Sequence, residues 1–221
     1  MGVAVGFVLF GLTGGLASGK SAVASRFRER GLPIFDADDI ARDVVALGTD
    51  GLAEIARAFG AELLLPDGSL DRKKMAGRVF ADPAARKTLE AITHPRIAAE
   101  SQARAAMLES RGEPLACYEA TLLVERGLAD AFRPLVVVAA REATQVERAV
   151  ARGGVSADEA LARIRAQLPI GDKEAVADYV IRNDGDRARL DVEADRVLDA
   201  ICRSRGVEPG RYPRAGTGAR K

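Results

Sequence analysis

The chain has little sulfur or imidazole chemistry to offer: two cysteines and one histidine in 221 residues. Cys117 and Cys202 stand far apart and match no metal-ligand or redox spacing, which excludes a disulfide scaffold and a zinc site and fits a reducing, cytoplasmic compartment. Cys117 lies in an apolar stretch and is expected to be buried. His94 precedes Pro95 and has no companion at ligand spacing, so by itself it reads as a turn or structural residue. An excess of charge is also missing. With 33 basic and 32 acidic residues, a net charge of +1 provides no overall field to draw the chain onto nucleic acid or an anionic membrane. Long hydrophobic runs are absent as well. The run from Val5 to Leu12 is too short to span a bilayer, and no basic residue precedes it as in a signal peptide. Gly2 does not open a myristoylation motif, because position 6 is Gly where Ser or Thr is required. No membrane association is expected.

The composition, 48% hydrophobic, allows a proper core with length to spare for an inserted subdomain. The most informative segment follows the first apolar run. Gly14-Gly15-Leu16-Ala17-Ser18-Gly19-Lys20-Ser21 fits the G-x-x-x-x-G-K-[ST] pattern of a phosphate-binding loop. Its glycines allow backbone N–H groups to turn inward around a pyrophosphate, Lys20 adds a cation, and the Ser21 hydroxyl can serve Mg²⁺. Ser21 to Arg30 has Val23 and Phe27 four apart and should form a helix whose N-terminus faces the phosphates, stopping at Gly31. Strand, loop and helix in this order favour a nucleotide site over a plain turn.

Leu32 to Phe35 reads as a second strand ending in Asp36-Ala37-Asp38-Asp39, with its carboxylates at the same sheet edge as the loop. From there to about Gly112 helical signals dominate. Leu52, Ile55, Ala56 and Phe59 share a face, Asp82-Pro83 is a capped helix start, and Pro95 is expected to open another helix. Leu115 to Tyr118, Leu135 to Ala140 and Tyr179 to Ile181 are further strands. The alternation, with the phosphate loop, predicts an α/β, three-layer nucleotide-binding fold with a five-stranded parallel sheet. The expected organisation is a nucleotide-binding core of residues 1–44, 113–140 and 176–205, a helical insertion over 45–112, and a helical region over 141–175 that can close as a lid. Residues 206–221 mix Gly, Pro and Arg without periodicity and are expected to be a flexible basic tail.

Phosphoryl transfer requires a cradle, a metal, a group for the acceptor, and cations for the transferred phosphate. Asp38, at the end of the second strand, can orient or deprotonate an acceptor hydroxyl; capping a helix is its plainer role. Arg42 lies one helical turn on, able to pair with Asp38 or a substrate phosphate. Gln145, Arg148 and Arg152 fall on one helix face, where they can bring guanidinium groups to ATP or simply remain a solvated face paired with Glu142 or Glu147. Arg72, with Lys73 and Lys74, forms a basic patch suited to a substrate pyrophosphate or to solvent. Ser156 with Glu159 makes a capping box.

These segments together, with Asp67-Gly68 and Asp71-Arg72, His94-Pro95, Leu122-Leu123-Val124-Glu125, Gln167, and Ala177-Asp178-Tyr179-Val180-Ile181 with Asn183, resemble dephospho-CoA kinase over nearly the whole chain. The resemblance implies transfer of the ATP γ-phosphate to the ribose 3′-hydroxyl of dephospho-CoA, giving CoA and ADP. It implies ATP and Mg²⁺ as cofactors and dephospho-CoA as the partner; separately, the chain is expected to be a monomer. The resemblance makes Asp38, Lys20 and Arg148 catalytic. ATP would be bound by Gly14, Gly15, Ala17, Ser18, Gly19, Lys20, Ser21, Ala22, Arg148, Arg152 and Asn183, with Ser21 on the metal. Substrate would be bound by Asp38, Arg42, Arg72 and His94, and the helical insertion becomes the CoA-binding domain. This chain has Ala17 where the family usually has Gly, Ala22 for Thr, and Thr121 for Pro. Ala17 is tolerated only if its φ stays below zero or the loop accepts strain. Another small-molecule or nucleoside monophosphate kinase of the same fold is the nearest rival. A GTP-dependent switch is excluded by the lack of Asn-Lys-x-Asp and Asp-x-x-Gly motifs.

Overall fold

A computed structural model describes residues 6–214; Gly2, Val5 and the basic residues from 215 onward lie outside them. In chain order the first elements are β1 (Val8–Gly14), α1 (Lys20–Glu29), β2 (Ile34–Asp36), α2 (Ala37–Asp43), α3 (Asp50–Phe59), α4 (Arg72–Ala81) and α5 (Pro83–Ser110). They are followed by β3 (Leu115–Glu119), β4 (Leu135–Ala139), α6 (Glu142–Ala151), α7 (Ala157–Arg165), α8 (Ile170–Ala175), β5 (Tyr179–Arg182) and α9 (Arg187–Ser204). The chain forms two compact units, one built from the residues up to Phe35 and from Arg111 on, the other from Asp36–Ser110.

The first unit carries the expected five-stranded sheet, in the order β2-β3-β1-β4-β5. β1 runs parallel to β3, with Phe10 opposite Cys117, and to β4, with Leu12 opposite Val136. Every residue of β3 and β4 is buried, which explains why they read as continuous apolar runs rather than alternating ones. The core packs Phe10, Leu12, Val23, Phe27, Val138, Leu198 and Ile201 between sheet and helices. The Phe10 and Phe27 rings meet edge to face with centroids 6.1 Å apart, joining β1 to α1. Because β3 flanks β1 on one side and β4 on the other, the strand order reverses at β1. A crevice at its C-terminal end is where such sheets hold ligands.

Several boundaries differ from expectation. β2 starts at Ile34, not Leu32; Pro33 has no N–H to donate and gives only its carbonyl, to the Cys117 N–H at 2.9 Å. Pro95 does not open a helix but sits inside α5. The helix opens instead at Asp82, whose carboxylate accepts from Ala84 and Ala85 N–H. Near Pro95, the Arg96 guanidinium donates to the Ile92 carbonyl at 2.7 Å and the Thr93 hydroxyl to that of Leu89 at 2.8 Å, so side chains satisfy carbonyls around the break.

The second unit begins at Asp36 rather than at the expected 45. α2 belongs with α5, because Asp43 pairs with Arg104 at 2.8 Å and the following Val45 joins Ile55, Leu63, Met75 and Ile92 in a separate apolar cluster. The expected tail is also corrected as far as Arg214. Val207 and Tyr212 are buried in the main core, and a short 3₁₀ turn, Pro209–Arg211, carries the chain between them.

Candidate functional site

The loop between β1 and α1 has the conformation that its sequence requires. Ser18 N–H returns to the Gly15 carbonyl at 3.1 Å, and α1 starts at Lys20 with Gly19 as its N-cap at φ 97°. No side chain caps this helix and no acidic residue lies in its first turn, so its leading N–H groups and positive dipole end are left for an anion. Gly19 is obligatory for a second reason: a Cβ there would collide with the Asn183 side-chain amide. Ser18 is fully buried and its hydroxyl oxygen has no hydrogen-bond partner, while Ser21 is exposed in the first turn. Ala22 is half-buried against the core.

Ala17 takes φ 54°, so the loop accepts the strain rather than avoiding it. Its methyl group is buried beside Ala149 of α6 and Ala160 of α7, which offsets part of the cost. The backbone on both sides is held by side-chain amides. Leu16 N–H donates to Gln167 Oε1 at 3.0 Å, and Asn183 Nδ2 donates to the Ser18 carbonyl at 2.8 Å. Asn183 thus grips the loop itself. Its distance from Ser18 in sequence left no local signal for this contact.

Lys20 Nζ lies 2.8 Å from Glu119 Oε1 at the end of β3, and Glu119 is only 2% exposed, with Arg28 of α1 at 3.5 Å. Two cations therefore neutralise a carboxylate whose burial alone would be costly. Burial first, and then the Glu119 charge, push the Cys117 thiol well up; burial pushes Cys202 up to about 11. Neither is a nucleophile at neutral pH. The loop after β3 is fixed at Thr121, whose carbonyl accepts from the Thr13 hydroxyl at 3.0 Å and from Lys173 at 3.3 Å. Lys173 is fully buried and pairs with Glu125 at 2.6 Å.

On α6, Arg148 donates to the carbonyls of Asn183 at 2.9 Å and Gly185 at 3.4 Å, beside the loop after β5. Gln145 is buried on the same face, while Arg152 is the exposed C-cap. The expected capping box of Ser156 and Glu159 is present at the start of α7. In the second unit, the α2 N-cap is Asp36, which accepts from Asp38 and Asp39 N–H. This relieves Asp38 of the capping role and leaves its carboxylate exposed. Arg42 pairs with Asp39 at 2.6 Å, not with Asp38; both partners are 59% exposed, so the pair contributes little. Arg72, first residue of α4, reaches the Arg42 carbonyl at 3.4 Å, which brings these two arginines together. His94 is exposed on α5.

Among the described residues, no three His, Cys, Asp or Glu are grouped to hold a metal, and no helix is long and apolar enough to cross a membrane. A family model described as dephospho-CoA kinase matches residues 8–189. A dephospho-CoA kinase of Anaeromyxobacter dehalogenans is 50% identical over 198 residues, 90% of this chain and 94% of that protein. The crystal structure of TT1252 from Thermus thermophilus is similar with a TM-score of 0.77 and 35% identity, covering 90% of this chain and 98% of that one. Dephospho-CoA kinase from Campylobacter jejuni has a TM-score of 0.68 at 27% identity, covering 89% of this chain and 98% of that one.

Proposed function

The chain belongs to the dephospho-CoA kinase family, and on that premise we propose how its residues divide the work of moving the ATP γ-phosphate to the ribose 3′-hydroxyl of dephospho-CoA. The observation that carries the assignment is the uncapped N-terminus of α1 behind a glycine loop at the sheet's reversal point. An anionic phosphate chain is the ligand such an end accepts. Gly14, Gly15, Ala17, Ser18 and Gly19 line the cradle and Lys20 exchanges its Glu119 partner for the β- and γ-phosphates, so the ammonium never stands without a counter-charge. The Ser18 hydroxyl, buried without a partner, and Ala22 complete the wall.

Mg²⁺ fits Ser21, whose hydroxyl is exposed beside the open helix end; when bound, the ion neutralises charge on the phosphate oxygens. Arg148 and Arg152 offer guanidinium groups to the transferred phosphoryl, and Asn183 positions the loop through Ser18. Asp38, free of capping duty, orients the acceptor hydroxyl and takes its proton. Arg42 and Arg72, joined on the second unit, suit the anionic part of the acceptor, with His94 on the same unit as a further contact. The two unpaired, buried cysteines accord with the cytoplasm as the place of action.

The test is ADP release with Mg-ATP and dephospho-CoA, AMP, adenosine or no acceptor, with mass detection of CoA. ADP matched by CoA, with dephospho-CoA alone, is the expected result; release with another acceptor assigns a different small-molecule kinase. Asp38→Asn should keep nucleotide affinity and lower kcat by roughly 10²-fold or more. Near-normal turnover in that variant removes Asp38 from the chemistry.

A further inference from the structure

Three features place the α6–α7 hairpin against the outer wall of the phosphate loop. The Leu16 N–H is given to Gln167, which follows α7. The Ala17 methyl packs with Ala149 and Ala160, one from each helix. Gln145 Oε1 is buried without a hydrogen-bond partner and lies against Gly15, where a Cβ would sit 2.8 Å away. The hairpin itself is tied together, since Arg165 of α7 pairs with Glu142 of α6 at 3.2 Å. Gly15, Gln145 and Gln167 share the lining of a cavity of about 300 Å³ with Ile164, Leu168 and Ile170.

Ala17 is the one described non-glycine residue with positive φ. A β-carbon there favours reversal of the local peptide planes, and the neighbouring groups oppose that reversal. Ser18 N–H, in the plane that follows Ala17, is held by the Gly15 carbonyl, and one peptide further out on either side Gln167 holds the Leu16 N–H and Asn183 the Ser18 carbonyl. The Asn183 grip comes from just after β5, where its N–H meets the Ala139 carbonyl of the sheet and its own carbonyl accepts from Arg148 of α6, whereas the Gln167 grip comes from the hairpin alone. The loop's shape therefore depends on where the hairpin stands.

We propose that Gln167 is a positioning residue that ties the α6–α7 hairpin to the phosphate loop, so that seating of nucleotide phosphates and placement of the helix carrying Arg148 are one event. This rests on the nucleotide-site reading above. The mechanism is a population shift: phosphates that favour the loop's strained form also favour the hairpin position that supplies the Gln167 acceptor.

Gln167→Met keeps length and apolar bulk but removes the acceptor; Gln167→Glu keeps an acceptor oxygen. Amide hydrogen exchange is measured with and without Mg-ADP, together with ADP affinity. Without nucleotide, the Leu16 amide should exchange roughly fivefold to tenfold faster in Gln167→Met, the loss of one hydrogen bond, and at the wild-type rate in Gln167→Glu. With ADP, the wild type should gain protection in the loop and across residues 142–165, whereas Gln167→Met should bind about tenfold more weakly and lose the hairpin's share. Wild-type affinity and hairpin protection in Gln167→Met would overturn the coupling, as would a Leu16 amide unprotected in Gln167→Glu. A wild type that binds no ADP at all would instead overturn the nucleotide-site reading, and this inference with it. Should Gln167→Met fail to fold, Ala17→Gly, which deletes the methyl contact but relieves the backbone, should bind ADP with reduced hairpin protection; unchanged protection would overturn the inference.

Discussion

Gly19 shows how much a single hydrogen atom in place of a methyl can decide. Its φ of 97° is unfavourable for any residue with a Cβ, and the Asn183 amide occupies the space that a Cβ would take. Gly19→Ala should therefore cost at least about 2 kcal/mol in urea unfolding and abolish ADP binding, as strain and collision act together. Wild-type stability would mean that Asn183 yields easily. The sequence pattern identified Gly19, Lys20 and Ser21 directly, because backbone demands are local. It also recognised the condition under which Ala17 survives, but the outcome, φ 54° with a buried methyl group, depended on Ala149 and Ala160. At Asp38 the local signal allowed capping of α2 as its plainer role. The backbone turns so that Asp36 caps the helix, and the Asp38 carboxylate is left exposed without a capping bond.

At the scale of elements, the segment after α9 behaves as a strap. The Tyr212 carbonyl accepts from Arg30 Nε at 2.9 Å and Nη2 at 2.6 Å, and its hydroxyl donates to Glu113 and to the Leu115 carbonyl. Arg30 is 1% exposed at its side chain and also reaches Asp199 at 2.5 Å, so losing the strap leaves its buried Nε without a partner while Asp195 and Asp199 keep hold of the guanidinium. A chain ending at Gly206 should lose at least about 3 kcal/mol in denaturant unfolding, from the buried aromatic and the orphaned donor. A loss under 1 kcal/mol, about the worth of one hydrogen bond, would show the strap to be dispensable. No periodicity marks this segment, since its contacts lie far away in sequence. Pro95 misleads for the opposite reason: the local rule places Pro at a helix start, and neighbouring Arg96 and Thr93 side chains let α5 continue through it.

Across the whole molecule, charges far apart in sequence are gathered at α1 and α9. Asp195 accepts from Arg26 at 2.7 Å, and Asp199 from Arg30 at 2.5 Å and Arg214 at 2.6 Å. Burial raises the Asp199 pKa, but the hydrogen bonds from Arg30 and Arg214 prevail and hold it below the ordinary 3.8. A carboxylate depressed in the folded state stabilises the protein above its unfolded pKa and loses that contribution as pH falls through the folded value. Melting temperature should therefore drop as pH falls below about 4, and Asp199→Asn should flatten that drop while lowering stability at pH 7. An unchanged acid slope in the variant would assign it to other carboxylates, such as Asp178 and Asp184, whose pKa values are lowered too.

What the sequence determined by itself was whatever local stereochemistry and apolar runs dictate: the phosphate loop, the five strands, the capped starts of α5 and α7, and the helical stretch between β2 and β3. Its motifs also carried enough ordered detail to indicate the kinase family. Only the tertiary structure decided what those parts touch. It paired Lys20 with Glu119, placed Asn183 and Gln167 on the loop backbone, drew α2 into the second unit, and packed Tyr212 against Arg30. The reason is physical. Dihedral preference and patterning act between near neighbours, whereas hydrogen bonds and burial across the fold depend on which distant residues the packed chain brings within reach.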